Sequence, residues 1–190
     1  MELKPIPVDK LIEKFNNQGY FDIFSKLSAT FLRQFKSNQH SLANLREKFN
    51  SNERFLAYLE IFEYILEKYE NHLITTDIKD FSDMINDAIT LLNNNDVQRK
   101  VDWIIVDEFQ DISKGRTELI NSLVKQNPEV KILVVGEDWQ SIYRFAGSDI
   151  NHVQQFEYFF GNTIEMFLKK SFIFNNQINE FSKDFIMDSL

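Results

Sequence analysis

The stretch Trp103-Ile104-Ile105-Val106-Asp107-Glu108 passes from four apolar residues directly into two acids. A second apolar run, 131–135, follows after a segment with helical character over 115–125. Short apolar runs separated by a helix predict a β-α-β unit whose parallel strands are buried on both faces. A third strand is predicted over 163–168, followed by a helix over 175–187. The fold class predicted for this part of the chain is α/β.

The first hundred residues show helical periodicity instead. Over 53–70, apolar residues recur every three or four positions, with charged residues on the other face. The pattern repeats over 80–92 with Phe81, Met84, Ile85, Ala88 and Leu92, and Asp80 is a candidate N-cap. The cluster Asn93-Asn94-Asn95-Asp96 then breaks the pattern, so we predict a helical unit over 1–98 and an α/β unit over 99–190.

Composition excludes several classes of protein. The 190 residues contain no cysteine, which excludes disulfide scaffolds and thiolate metal sites. The net charge of −8 argues against holding duplex DNA by overall charge, although aromatic stacking on single-stranded bases needs no basic average. The chain shows neither an apolar run long enough to span a membrane nor a signal-peptide pattern, so we expect no membrane association and a cytoplasmic location.

Asp107 and Glu108 are the first candidates for chemistry. Ligands of parallel sheets bind at the carboxyl ends of the strands, where these acids are predicted to lie. One carboxylate can hold Mg²⁺ through its waters, and the next can orient or deprotonate an attacking water. On these residues alone, the alternative is a strand followed by an ordinary acidic turn.

Longer motifs carry a family resemblance. Asp107-Glu108-Phe109-Gln110-Asp111 resembles the DExQD box of superfamily 1 UvrD/Rep-type helicases, and 134–147 (VVGEDWQSIYRFAG) resembles their third motif, most closely in the helicase IV branch. The segment 168–178 is similar to the fourth motif, and Asp80-Phe81-Ser82-Asp83 is similar to a helix that precedes the DExQD strand.

The resemblance implies part of a RecA-like (P-loop NTPase) parallel sheet preceded by an all-helical insertion. It implies an ATP-dependent DNA helicase that moves 3′ to 5′ on single-stranded DNA, uses ATP and Mg²⁺, meets a duplex junction and serves DNA repair. Asp107 would be the Mg²⁺-associated acid, Glu108 would activate water, and Gln140 would sense the γ-phosphate. Tyr143 and Phe145 would contact single-stranded bases, because a flat ring accepts any base.

The sequence also departs from the family. No Gly-Lys-Ser/Thr phosphate loop occurs, and Ile173 stands where the fourth motif has an arginine. An aliphatic side chain cannot neutralise developing phosphate charge. We therefore expect an internal fragment of a helicase that binds MgATP weakly and is inactive by itself.

Two other functions remain open at this stage. One is a catalytically inactive interaction module in which the helical half binds a protein partner. The other is a metal-dependent nuclease built on Asp107, Glu108 and Asp111, for which no supporting Lys or His motif is present.

Overall fold

The computed structural model describes residues 6–17, 19–137, 140–141, 153, 155–168 and 177–178. The chain divides into two compact units, Met1–Phe160 and Gly161–Leu190. The predicted boundary near residue 98 stays a prediction. Among the described helices, none is long and apolar enough to cross a membrane.

The first unit begins with five helices and continues as an α/β segment. The helices are α1 (Val8–Asn17), α2 (Tyr20–Ser37), α3 (Leu42–Lys48), α4 (Glu53–Thr76) and α5 (Phe81–Asn93). The α/β segment comprises β1 (Trp103–Val106), a 3-10 turn (Phe109–Asp111), α6 (Lys114–Gln126), β2 (Lys131–Val134) and the short α7 (Phe156–Phe160).

Local capping signals define several helix starts. Asp80 accepts a hydrogen bond from the Asp83 N–H (2.9 Å) while the Asp83 carboxylate accepts one from the Asp80 N–H (3.3 Å). This reciprocal pair is a capping box, and it confirms Asp80 as the N-cap of α5. Ser41 and Asn52 cap α3 and α4 in the simpler one-sided way.

An aromatic cluster forms the core of the helical part. Its buried members are Phe35, Leu45, Leu59 and Phe62, and the Phe31 ring meets the Phe62 ring edge-on at 4.6 Å. The periodic stripe predicted over 53–70 supplies the α4 side of this core. The stripe of α5 is only partly buried, since Leu92 is buried but Phe81 is 85% exposed and Met84 is also exposed.

A buried lysine ties three helices together. Lys36 of α2 is only 8% exposed, and its Nζ lies 2.9 Å from Glu70, 2.9 Å from Asp80 and 2.6 Å from Asp83. Burial opposes its charge, but the pairing of its ammonium group with these carboxylates outweighs burial and raises the pKa of Lys36. Burial and a hydrogen bond to Asp80 raise the pKa of Tyr69 to about 12.

The α/β segment has the predicted β-α-β order. Strands β1 and β2 are parallel, with Ile104 opposite Ile132 and Val106 opposite Val134, and α6 connects them. Ile104, Phe109, Ile112 and Ile120 form the buried core on the face that α6 covers.

The prediction that both faces of this sheet are buried is wrong for the described residues. Ile105 is 68% exposed, and Trp103 and Leu133 are exposed beside it. Side chains alternate between the two faces of a strand, and the buried core lies only on the α6 side, so every second residue faces solvent.

The predicted third strand is also absent from the structure. Residues 163–168 have no regular secondary structure, and Ile164 is 92% exposed. A strand needs a neighbouring strand for its backbone hydrogen bonds, and the described sheet contains only β1 and β2. Of the helix predicted over 175–187, only residues 177 and 178 are described, and they are helical.

Two polar side chains at the end of α6 hold the segment that enters β1. The Gln126 amide donates to the carbonyls of Leu92 (2.8 Å) and Val97 (2.9 Å). Asn127 accepts from the Val101 N–H (3.1 Å) and donates to the Arg99 carbonyl (2.8 Å). This clamp ties residues 92–101 to α6, which packs against α5.

Candidate functional site

The two predicted acids lie next to each other at the carboxyl end of β1. Asp107 and Glu108 follow the last strand residue, and both are exposed. The Glu108 N–H donates to the Asp107 carboxylate at 2.9 Å. Glu108 adopts a left-handed backbone conformation (φ 51°), which is unusual for a residue other than glycine and turns the chain sharply into the 3-10 turn.

Backbone hydrogen bonds fix this acidic turn against the chain that follows β2. The Val135 N–H donates to the Val106 carbonyl and the Phe109 N–H donates to the Val135 carbonyl, both at 2.9 Å. The Phe109 side chain is buried, and its ring meets the rings of Phe156 (5.5 Å) and Phe160 (6.3 Å) edge-on. The acids therefore stand on a turn that is anchored on both sides.

Gln110 is a residue at this site to which the sequence analysis assigned no role. Its side chain is 1% exposed, and its Nε2 donates to Glu108 Oε2 at 2.6 Å. Its Oε1 accepts from the Glu137 N–H at 3.0 Å. The only sequence signal was its place inside the DExQD box, which gives no indication of its partners.

Gly136 makes room for this arrangement. A Cβ atom at position 136 would lie 2.7 Å from Gln110 Oε1 and 3.2 Å from the backbone nitrogens of Phe109 and Gln110. Only glycine lets the chain after β2 approach the acidic turn this closely.

Gln140 lies in the segment that Gln110 holds. The Gln140 N–H donates to the Glu137 carbonyl (3.0 Å), and the Ser141 hydroxyl donates to the Gln110 carbonyl at 3.4 Å. The structure thus brings Asp107 and Glu108 together and connects them to the segment carrying Gln140, whose side chain is exposed. Tyr143, Phe145 and Ile173 lie outside the described residues.

The donor set suits a hard cation held through water. Two exposed carboxylates at one sheet edge are the oxygen ligands that Mg²⁺ prefers, usually with several waters retained. In the part of the chain that the structure describes, no three acidic, His or Cys side chains are grouped to hold a metal ion. The three-carboxylate arrangement with Asp111 is therefore not formed, and one Asp111 oxygen is buried without a hydrogen-bond partner among these residues.

The comparisons with known proteins agree on one family of helicases. The family described as UvrD/REP helicase N-terminal domain matches residues 7–161. DNA helicase IV of Escherichia coli (strain K12) is 33% identical over 135 residues, which is 71% of this chain and 20% of that protein.

Two further relatives are more distant or shorter matches. The ATP-dependent DNA helicase PcrA of Bacillus subtilis (strain 168) is 29% identical over 120 residues, 60% of this chain and 16% of that protein. The ATP-dependent DNA helicase Rep of Buchnera aphidicola subsp. Acyrthosiphon pisum is 36% identical over 97 residues, 48% of this chain and 15% of that protein. The chain spans a fifth or less of the length of these relatives. Since the family match covers residues 7–161 of 190, the chain belongs to the UvrD/Rep helicase family.

Proposed function

We propose that this chain is part of the ATP-hydrolysing motor of a DNA helicase that moves 3′ to 5′ on single-stranded DNA and separates duplexes. Residues 99–190 would belong to its RecA-like core, and residues 1–98 would be a helical insertion. The observation that carries the proposal is the Asp107–Glu108 pair at the carboxyl end of β1, joined through buried Gln110 to the segment that bears Gln140. We also expect a cytoplasmic protein that serves DNA repair.

Each site residue has a distinct task in this proposal. Asp107 holds Mg²⁺ through water, and that ion, when bound, neutralises charge on the phosphate oxygens of ATP. Glu108 orients the attacking water and accepts its proton, for which an exposed carboxylate at the sheet edge is suitably placed. Gln140 responds to the γ-phosphate from the segment after β2.

The DNA contacts in this proposal depend on Tyr143 and Phe145. Both follow Gln140 within a few residues, so nucleotide state and base stacking are linked along a short piece of chain. Stacking on an aromatic ring tolerates any base, which suits movement along single-stranded DNA without sequence preference.

A chimera tests the proposal directly. Residues 7–161, the range that the family matches, replace the corresponding region of E. coli DNA helicase IV, and ATP turnover is measured with single-stranded DNA. This range excludes Ile173, so the host protein keeps its own fourth motif. Glu108→Gln should lower turnover by about 10²–10⁴-fold, the usual contribution of a positioned general base.

Glu129→Gln is the matched control, because Glu129 is also an exposed acid but precedes β2 at the opposite end of the strands. It should leave turnover unchanged. Equal turnover for the Glu108→Gln and Glu129→Gln chimeras would contradict the proposal.

A second proposal is a protein-interaction module in the helical half. It is favoured by exposed apolar side chains around the junction of α4 and α5, namely Ile74, Ile78, Phe81 and Met84. Exposed apolar clusters of this kind mark interaction surfaces. The same chimera separates the two proposals, because an interaction module has no need of Glu108.

A further inference from the structure

Gln110 is the most buried polar side chain at the site, and both ends of its amide are engaged. The Nε2 group donates to a carboxylate, Glu108 Oε2, at 2.6 Å, and the Oε1 atom accepts from a backbone N–H, that of Glu137, at 3.0 Å. A primary amide has a donor end and an acceptor end. A flipped amide would face Glu108 with an acceptor and the Glu137 N–H with a donor, so a single orientation is stable.

The contact with Glu108 restrains a side chain that would otherwise be free in solvent. Glu108 is exposed, and a long carboxylate side chain at the surface samples several rotamers. A short, charge-assisted hydrogen bond from a buried donor holds one carboxylate oxygen in place. The rigid part of the pair is Gln110, and the part that it orients is Glu108.

The contact with Glu137 connects the same amide to the segment after β2. The absence of a Cβ at Gly136 allows Gln110 Oε1 to approach the main chain there. The Ser141 hydroxyl adds a second link, since it donates to the Gln110 carbonyl at 3.4 Å. Glu137 and Ser141 lie on either side of Gln140 in the chain, and each is hydrogen-bonded to the buried residue Gln110.

We propose that Gln110 is a positioning residue that orients the Glu108 carboxylate and couples it to the segment carrying Gln140. A displacement of the Glu137 main chain changes the hydrogen bond to Oε1, moves the amide and thereby moves the Glu108 carboxylate. The task requires a donor and an acceptor at fixed separation, which Gln provides and which Glu, Met or Lys does not. The inference rests on the proposed role of Glu108 in activating water.

Amide hydrogen exchange in the complete 190-residue chain tests the structural half of this proposal. Gln110→Met removes both hydrogen bonds at similar size, so exchange of the Glu137 N–H should accelerate by about tenfold or more. Gln110→Glu keeps an acceptor oxygen, so Glu137 should stay protected. The Val135 N–H, bonded to the Val106 carbonyl, should stay protected in both variants and reports that the fold is intact. Unchanged exchange at Glu137 in the Met variant would overturn the coupling.

Kinetics in the chimera that carries residues 7–161 test the functional half. Gln110→Met and Gln110→Glu should each lower kcat by about 10²-fold, the effect of displacing a catalytic group by roughly 1 Å, with little change in KM for ATP. In a Glu108→Gln background, either change at Gln110 should cost no further activity, because there is no carboxylate left to orient.

The outcomes distinguish the two claims. Full activity of Gln110→Glu alongside a large loss for Glu108→Gln would overturn the positioning role and leave the proposed function standing. Full activity of Glu108→Gln would remove the proposed function itself, whatever the exchange experiment shows. Additive losses at the two positions would also overturn positioning, because they would mean that Gln110 acts independently of Glu108.

Discussion

Lys36 in the helical part and Gln110 at the end of the sheet are both buried polar side chains, and they meet partners of different kinds. Lys36 meets three carboxylates, those of Glu70 in α4, Asp80 at the N-cap of α5 and Asp83 in α5, all within 2.9 Å of its Nζ. Gln110 meets one carboxylate and one backbone N–H. The first arrangement joins three helices by ion pairs. The second holds the acidic turn and the chain after β2 by directional hydrogen bonds.

The difference separates stability from geometry. Removing one partner from a buried ionic cluster leaves charges without compensation, which costs several kcal/mol. A neutral amide contributes less net free energy, but its hydrogen bonds are directional and hold their partners in a defined geometry. We therefore expect the helical part to depend on Lys36 for stability, and the candidate site to depend on Gln110 for alignment.

Replacing Lys36 should have the largest effect on stability. Lys36→Met leaves Glu70, Asp80 and Asp83 without their cation, and we expect a loss of about 3 kcal/mol. This is the lower end of the range for a broken buried pair, because the carboxylates keep access to water. Urea unfolding measures it. Arg46→Met is the control, since its pair with Glu63 is exposed and should contribute about 0–1 kcal/mol. Equal losses for the two variants would refute the distinction.

Gly136→Ala should have the next largest effect. The new methyl group would press on Gln110 Oε1 and on two backbone nitrogens, and we expect a loss of about 1–3 kcal/mol for this overpacking. The loss should shrink in a Gln110→Ala background, where the nearest of the three atoms is gone. An identical loss of stability in both backgrounds would show that the Gln110 side chain is not the reason why position 136 requires glycine.

The pH dependence of the unfolding free energy should arise from the Lys36 cluster. At moderate pH this free energy should change little. Burial opposes the charge of Asp80, but the hydrogen bonds from Lys36, the Asp83 N–H and the Tyr69 hydroxyl, together with the charge of Lys36, outweigh it and lower the pKa of Asp80. The resulting stability is present above the unfolded pKa of about 4 and is lost as pH falls through the lower folded value.

For Tyr69, whose pKa is raised to about 12, stability is present below about pH 10 and is lost as pH rises toward 12. Unfolding free energies across pH should therefore fall on both sides. Asp80→Asn should reduce the fall of the unfolding free energy at acid pH, and Tyr69→Phe should reduce its fall at alkaline pH. Gln110→Met should alter neither, and a change in either limb for that variant would break the comparison.

The clamp at the end of α6 should give the smallest effect. Replacing Gln126 and Asn127 together by Ala removes the hydrogen bonds that hold residues 92–101. Limited proteolysis within 93–101 should become several-fold faster, because cleavage requires local opening. Cleavage at the original rate would show that the clamp does not hold this segment, and cleavage first within 104–135 would argue against a division of the chain near residue 98.

The sequence predicted those parts of the molecule that local signals specify. The N-cap at Asp80, the strand over 103–106 and the helix α6 were all predicted, since each depends on residues within a few positions of one another. The position of Asp107 and Glu108 at a strand end followed from the same local pattern.

Features that depend on tertiary neighbours were missed. Lys36 lies on a helix with no sequence mark of burial, and its partners Glu70, Asp80 and Asp83 are far along the chain. Gln110 finds one of its two partners 27 positions away. The exposed face around Ile105 and the segment 163–168, which forms no strand, were mispredicted for a related reason, because a short apolar run does not reveal whether a neighbouring layer or strand is present.

The most direct test of the account compares Lys36→Met and Gln110→Met in the chimera carrying residues 7–161, with ATP turnover expressed per folded molecule well below the unfolding transition. We expect Lys36→Met to lose stability and keep its kcat, and Gln110→Met to lose about 10²-fold in kcat with a smaller loss of stability. Turnover that falls equally in both variants, or that stays intact in Gln110→Met, would contradict the account.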